Sequence, residues 1–579
     1  MRRAAPRAPH AVDGTVTPHP RGRAPVGPPR GAWPSARARP SRAAALTLFA
    51  AALTACVEGA DPTLPPDDYP DTGVVAAPDA APTLDAGLDA GAPTDARAAD
   101  AEAADAGTTP DLGTFATATV AAPRELRGVW VATVSNIDFP SATNLTVAAA
   151  QAELQRVVDL TADAGLNAIF FQARPEGDAL YRSMFEPWSR VLTGTQGRDP
   201  GYDPLGTLIG LAHARGLEVH AWLNPYRAKS SAASTAVAPH MAERFPDLAY
   251  DYGRGTWMDP GAEPVQRRLL DVVRDLASGY PIDGVHLDDY FYPYPETGVP
   301  FPDDATYAAY RAGGGALVLA EWRRDNVNRM VEAIDGVVAD TRPSARFGIS
   351  PFGIYRPGQP TGQPAPITGL DQYSAIFSDP PLWIARGWVD YLAPQLYWVT
   401  TAPRQPYAAL AAWWARIPRA PGTWMMIGNN LSALGSTADW TIDEYLEQLR
   451  LTRGEAPQGM AGNIWFSLRP LREGRQGIGD VLRQRAYSTP ALTPVVARMR
   501  DIPVDPPRVS PTPSGALRVE HAQPDTLRGY ALYDRVGGAW VFQGLRRAAA
   551  VELMPSSTRR AVSAVGLHGV ESRAVVLEP

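Results

Sequence analysis

Cysteine occurs once among 579 residues, so no disulfide can close within the chain and no thiolate cluster can hold a metal. Positive charge is not in excess: 54 Lys and Arg against 61 Asp and Glu leave a formal net charge of -7, and no basic stripe runs through the aromatic-rich part. That excludes the footprint of a nucleic-acid protein. The arginines of residues 2–42 lie among prolines, outside any plausible fold. No glycine-rich phosphate turn follows the first candidate strand, where RGVWVATVSNIDFP stands, which argues against an open dinucleotide-binding sheet. Metal-ligand spacing is also missing, since His286 and Asp288 have no further His at neighbouring strand ends apart from His220, deeper in the fold. Neither a cofactor nor a metal is expected.

The single cysteine is informative by its position. Arg42 precedes AAALTLFAAALTAC, an apolar run too short to cross a bilayer and ending in small residues before Cys56. This resembles a bacterial lipoprotein signal, which implies cleavage before Cys56, lipidation of its thiol and anchorage to the outer or cytoplasmic membrane, facing periplasm or exterior. A signal normally starts close to its basic flank, and the long Arg/Pro-rich stretch ahead of this one departs from that pattern, which leaves the translation start open. Residues 1–56 are thus read as leader and signal. Residues 57–123 are Ala, Asp, Pro, Thr and Gly with almost no large apolar side chain; they cannot offset chain entropy by burial and are expected to form a disordered acidic tether.

From residue 124 the texture changes. Apolar strand candidates start at Arg127, Leu166, Leu217, Ile282, Arg346, Tyr391, Thr423 and Gly462, and amphipathic helical patterns separate them. About eight such units within one domain predict an α/β fold, a closed (β/α)8 TIM barrel over residues 124–490. After a linker at 491–506, residues 507–579 read as short alternating segments broken by Gly, Pro and Ser, a small β-sandwich whose order resembles a fibronectin type III module.

PIDGVHLDDYFYPYP, residues 281–295, concentrates the chemistry. Period-2 alternation sends Val285 and Leu287 toward the helices and His286, Asp288 and Tyr290 inward, while Asp289 would face the helix layer unless a twist at the strand end turns it. The same test sends Gln172 and Arg174, then His220, Trp222 and Asn224, then Gln395 and Tyr397, then Trp465, Ser467 and Arg469 inward. Polar and aromatic groups gather where barrel enzymes keep their sites. Tyr226 and Arg227 in NPYR, with Trp398, complete the candidate ligand contacts. Rings stack on sugar faces, and amides and arginines bond hydroxyls, so the list suits a polyol ligand. Cleaving a glycosidic bond needs a proton donor and a second carboxylate. Asp288 is the first choice. Asp289 follows as a supporting or second acid, and Glu176, beside Arg174, as the partner from another loop; an ion pair with Arg174 is its bland alternative. Asp178 competes with Glu176, whereas Asp259 and Asp379 suit turns and caps. No acid ends the fifth to eighth strands.

RGVWVATV, QARPEGDALYRSMFEPWSRVLTGTQG, HAWLNPYR, DGVHLDDYFYPYP, ISPFGIYRPG and LAPQLYW, in this order, closely resemble the family 10 glycosyl-hydrolase-like proteins over about residues 124–490. The resemblance implies a (β/α)8 hydrolase barrel and a glycan substrate, and its envelope members include a lipoprotein acting on peptidoglycan strands stripped of their peptides. The expectation is an envelope-anchored glycoside hydrolase. A non-catalytic glycan-binding lipoprotein on the same barrel is the alternative.

Overall fold

A computed structural model describes residues 115–579 apart from position 548. The leader, Cys56 and most of the expected tether lie outside the described residues.

Eight parallel strands close a barrel: β1 Leu126–Val131, β2 Ala168–Arg174, β3 Glu218–Leu223, β4 Gly284–Leu287, β5 Arg346–Ile349, β6 Tyr391–Leu392, β7 Trp424–Asn430 and β8 Met460–Phe466. The first and last strands pair directly, Gly462 opposite Leu126 and Trp465 opposite Val129. Helices follow in turn: α1 Val147–Asp163, α2 Pro204–Ala214, α3 Glu263–Gly279, α4 Leu319–Thr341, α5 Pro380–Arg386, α6 Tyr407–Arg416 and α7 Ile442–Gly454. Their ends obey local chemistry. Thr146 caps α1 by accepting from Ala149 N–H, and Asp203 caps α2 ahead of Pro204. In α3, Val265, Leu269, Val272, Val273 and Leu276 form one buried stripe at helical spacing.

Two apolar layers result. Val219, Ala221, Leu223, Val285 and Leu287 face the helices, whereas Leu126, Trp130, Phe170, Tyr391, Met426 and Ile464 fill the barrel interior. Strand starts match the sequence pattern to within about two residues, and two of the strand ends bear on the site. The β4 ladder to β5 stops at Leu287 opposite Ile349. β6 is cut short because Pro394 has no N–H to donate, leaving Gln395 as an isolated bridge to Phe352 and Gly428.

The C-terminal β domain holds a three-stranded sheet (Arg508–Pro511, Leu517–Glu520, Ala550–Leu553) and a larger one built on Leu527–Val536, Ala539–Arg546, Arg560–Gly566 and Ala574–Leu577. Thr117–Ala118, expected in the tether, pairs antiparallel with Val575 and Ala574 because the last strand otherwise has a bare edge. Residues 491–506, expected as a linker, are packed: Trp424 Nε1 donates to Val495 O, and Val496 N–H to His568 O.

Candidate active site

The C-terminal ends of the strands surround a cleft open to solvent, lined by side chains from several strand ends. Asp288 and Asp289 are the acids among its described lining residues. Beyond Leu287 the ladder no longer enforces alternation, so both carboxyls turn inward. This corrects the expectation that Asp289 faces the helices.

Asp288 is 4% exposed. Its Oδ2 accepts from Trp222 Nε1 at 3.2 Å and from Asn224 Nδ2. Asn224 is itself oriented: its Oδ1 accepts from Gln172 Nε2 at 2.7 Å and Arg227 Nη2 at 3.0 Å. Gln172 in turn accepts from Thr133 and Val134 N–H. An amide relay across β1, β2 and β3 therefore fixes one oxygen of Asp288. The other accepts from the Tyr290 N–H, at 3.3 Å. Asp289 is anchored from the opposite side, by Tyr294 OH on Oδ2 and by Gln395 Nε2 on Oδ1 at 3.2 Å.

Burial, and then the neighbouring charge of Asp289, pushes the Asp288 carboxyl up to about 7, against the opposing pull of Arg227. Asp289 is also raised by burial, with Tyr294 and Gln395 favouring its charged form. Two acids this close do not both ionise easily, and the geometry puts the held proton on Asp288. The walls are aromatic: Trp130, Trp222, Tyr290, Tyr397 and Phe466, with Tyr397 and Phe466 stacked at 5.9 Å. Arg227 lies over the Tyr290 ring at 5.2 Å.

Of the residues singled out from the sequence, Asp288, Asp289, Gln172, Trp222, Arg227, Tyr290, Gln395 and Tyr397 line this cleft, and Asn224 supports Asp288 from below. The others are elsewhere. Glu176 is held by Arg190 at 2.7 Å rather than by Arg174, and is not a lining residue. Asp178, its competitor, is fully buried and raised by burial and by the charge of Glu176. Arg174 leaves the interior because the β2–β3 register shifts between Gln172 and Arg174. A bulge there sets it opposite outward-facing Leu223, where it clamps Glu186 at 2.6 Å. His286 lies one layer below the cleft, between Tyr391 OH (3.0 Å), Ser350 Oγ (3.0 Å) and Trp130 Nε1 (3.1 Å); burial lowers it well below its usual range and keeps it neutral. Tyr226 is buried in the helix-facing core. Trp398 packs edge-on against Phe352 at 5.9 Å. Trp465 points outward, donating to Tyr487 OH at 3.2 Å, while Ile464 and Phe466 take the inner face. The apolar face of β8 is thus the interior one, because the barrel floor there is itself apolar.

Sequence reasoning missed Trp130, Ser350 and Phe466. Alternation from Trp130 on β1 to Ala132 just beyond it, and from Gly348 on β5 to Ser350 just beyond it, would have found the first two. Asp138 was missed as well. It joins the β1 loop to the end of β8, accepting from Ala132 N–H at 2.8 Å and Ser467 Oγ at 2.9 Å, and burial raises it to about 6.

Residues 125–442 match the family described as Glycosyl hydrolase-like 10. A glycosyl hydrolase of Bacillus subtilis, YngK, is 38% identical over 378 residues, covering 64% of this chain and 73% of the relative. Glycosyl hydrolase DigH of Escherichia coli is 32% identical over 384 residues, covering 62% of this chain and 86% of the relative. Among solved structures, the PgaB (BpsB) glycoside hydrolase domain of Bordetella bronchiseptica aligns with a TM-score of 0.41 at 15% identity, over 62% of this chain and 98% of that one.

Proposed function

The chain belongs to the Glycosyl hydrolase-like 10 family, and from that premise we propose that it is a glycoside hydrolase cleaving a bacterial cell-wall glycan, peptide-free peptidoglycan strands in particular. The observation that carries this is Asp288: a carboxyl that keeps its proton up to about pH 7, with one oxygen pinned by Trp222 and Asn224 and the other, which accepts from the Tyr290 N–H, on an aromatic cleft. Such a group can protonate the leaving oxygen of a glycosidic bond. Rings and amides around it suit sugar faces and hydroxyls. The lipoprotein-like signal ending at Cys56 supports an envelope setting, with the catalytic domain tethered to a membrane.

Release of reducing ends from purified sacculi, with and without prior amidase treatment, tests the activity. Release by the native protein after amidase treatment, and its loss in Asp288→Asn, is expected. Binding to the strands without any release leaves a glycan-binding protein instead. For the tether, the native protein should sediment with membranes and Cys56→Ser should stay in the supernatant.

A further inference from the structure

A glycosidase that retains configuration through a protein nucleophile places that carboxylate about 5–5.5 Å from the acid, and an inverting one spaces acid and base about 6.5–9.5 Å apart across the sugar ring. Both need carboxyls on opposite sides of the scissile bond. In this cleft the described lining acids are two consecutive residues at the end of one strand. Nearby candidates for an opposing carboxylate are committed elsewhere: Glu176 to Arg190, and Asp138 to Ala132 N–H and Ser467. Asp289, meanwhile, is held rigidly between Tyr294 and Gln395. A carboxylate accepting two hydrogen bonds retains lone pairs for a third donor. The same cleft is also lined by the apolar side chains of Ala132, Val134 and Ile137, chemistry suited to a methyl group.

Resting on the glycosidase reading above, we infer that the nucleophile is the substrate's own 2-acetamido carbonyl oxygen, with Asp289 holding the acetamido N–H and Asp288 donating the proton to the leaving oxygen. In the first step the acetamido oxygen bonds to the anomeric carbon as the bond from that carbon to the leaving oxygen breaks. The leaving oxygen takes the proton of Asp288, and Asp289 accepts the N–H proton, giving a neutral oxazoline. In the second step water attacks the anomeric carbon, Asp288 takes a proton from it, and Asp289 returns its proton to nitrogen as the ring opens. The product retains configuration, and both carboxyls end as they began. The site is accordingly specific for sugars carrying an acetamido group next to the anomeric carbon.

The test uses the full-length protein and amidase-stripped glycan strands. Proton NMR of the fresh product should show retention, and a disaccharide thiazoline, the sulfur analogue of the oxazoline, should compete with the strands. Strands chemically N-deacetylated should be cleaved more slowly by ~10²-fold or more, the scale on which a missing catalytic group acts. Asp289→Asn should lose turnover while still binding the strands, and the thiazoline and NMR arms stand even where that variant folds poorly. Inversion, a fluorosugar-trapped glycosyl adduct on a carboxylate, or unchanged cleavage of deacetylated strands overturns the inference and leaves the hydrolase reading intact. Absence of cleavage of any strand removes both.

Discussion

At the residue scale the difference between a site group and a structural one is which atoms remain unspent. Arg174 gives its guanidinium to Glu186 and to the Asn224 and Pro225 carbonyls, all out of solvent. Arg227 keeps its face on the cleft. Arg174→Ala should therefore cost ~3–5 kcal/mol of stability by stranding the Glu186 charge, read as a lowered denaturant midpoint, whereas Arg227→Ala should chiefly lower turnover. Asp288 makes a second prediction, on pH. Its folded pKa, raised to about 7, makes the protonated form the one the fold favours. Turnover that needs this proton should fall as pH rises through about 7. The stability sign follows by linkage: the group's contribution is fully present below its unfolded value of 3.8 and is lost as pH climbs to about 7. Asp288→Asn should accordingly raise the melting temperature at pH 8 relative to the native protein, with the gain vanishing toward pH 4.

At the scale of elements, the cleft rests on a floor of tightly fitted rings. His220, His286 and Tyr391 are linked through the Tyr391 hydroxyl at 3.2 and 3.0 Å. Glycines on β4 and β5 leave room for them: a Cβ at Gly284 would lie 2.3 Å from the His220 ring, and one at Gly348 would lie 2.1 Å from the ring of Tyr391. Gly348→Ala should then destabilise by ~1–3 kcal/mol through overpacking and, by tilting the floor, reduce turnover further than its loss of stability explains. A calorimetric melt beside an activity assay separates the two. The strands and helices themselves were legible, because periods of 2 and 3.6 are local properties of the chain. The failures came where a local rule was overridden by a neighbour: the bulge that turned Arg174 outward, the end of the β4 ladder that freed Asp289, and the apolar floor that reversed the reading of Trp465.

At the scale of the whole molecule, the β domain closes the barrel end opposite the cleft. Arg528 reaches under the strands to Glu218, which also binds Arg346 at 2.7 Å and Thr493, and it approaches Asp283 at 3.8 Å. Asp283 in turn bonds His213 at 2.7 Å and the Val219 N–H. A buried cluster of this kind favours a cap over a freely swinging attachment module. Arg528→Ala should lower stability by ~1–3 kcal/mol, the cost of an incompletely satisfied buried group, since Arg346 still faces Glu218. Glycan cleavage below the melting temperature should be unchanged, which a melt and a reducing-end assay together would read.

The sequence by itself determined the barrel, the order of its strands and the stretch that carries the two acids, since these follow from patterns a few residues long. Only the tertiary structure decided which acids meet. Asp288 depends on Asn224, Asp289 on Gln395, and Glu176 is withdrawn by Arg190. Alternation assigns a face, but pairing between separate loops is set by register and strand ends, which are fixed only when the barrel closes.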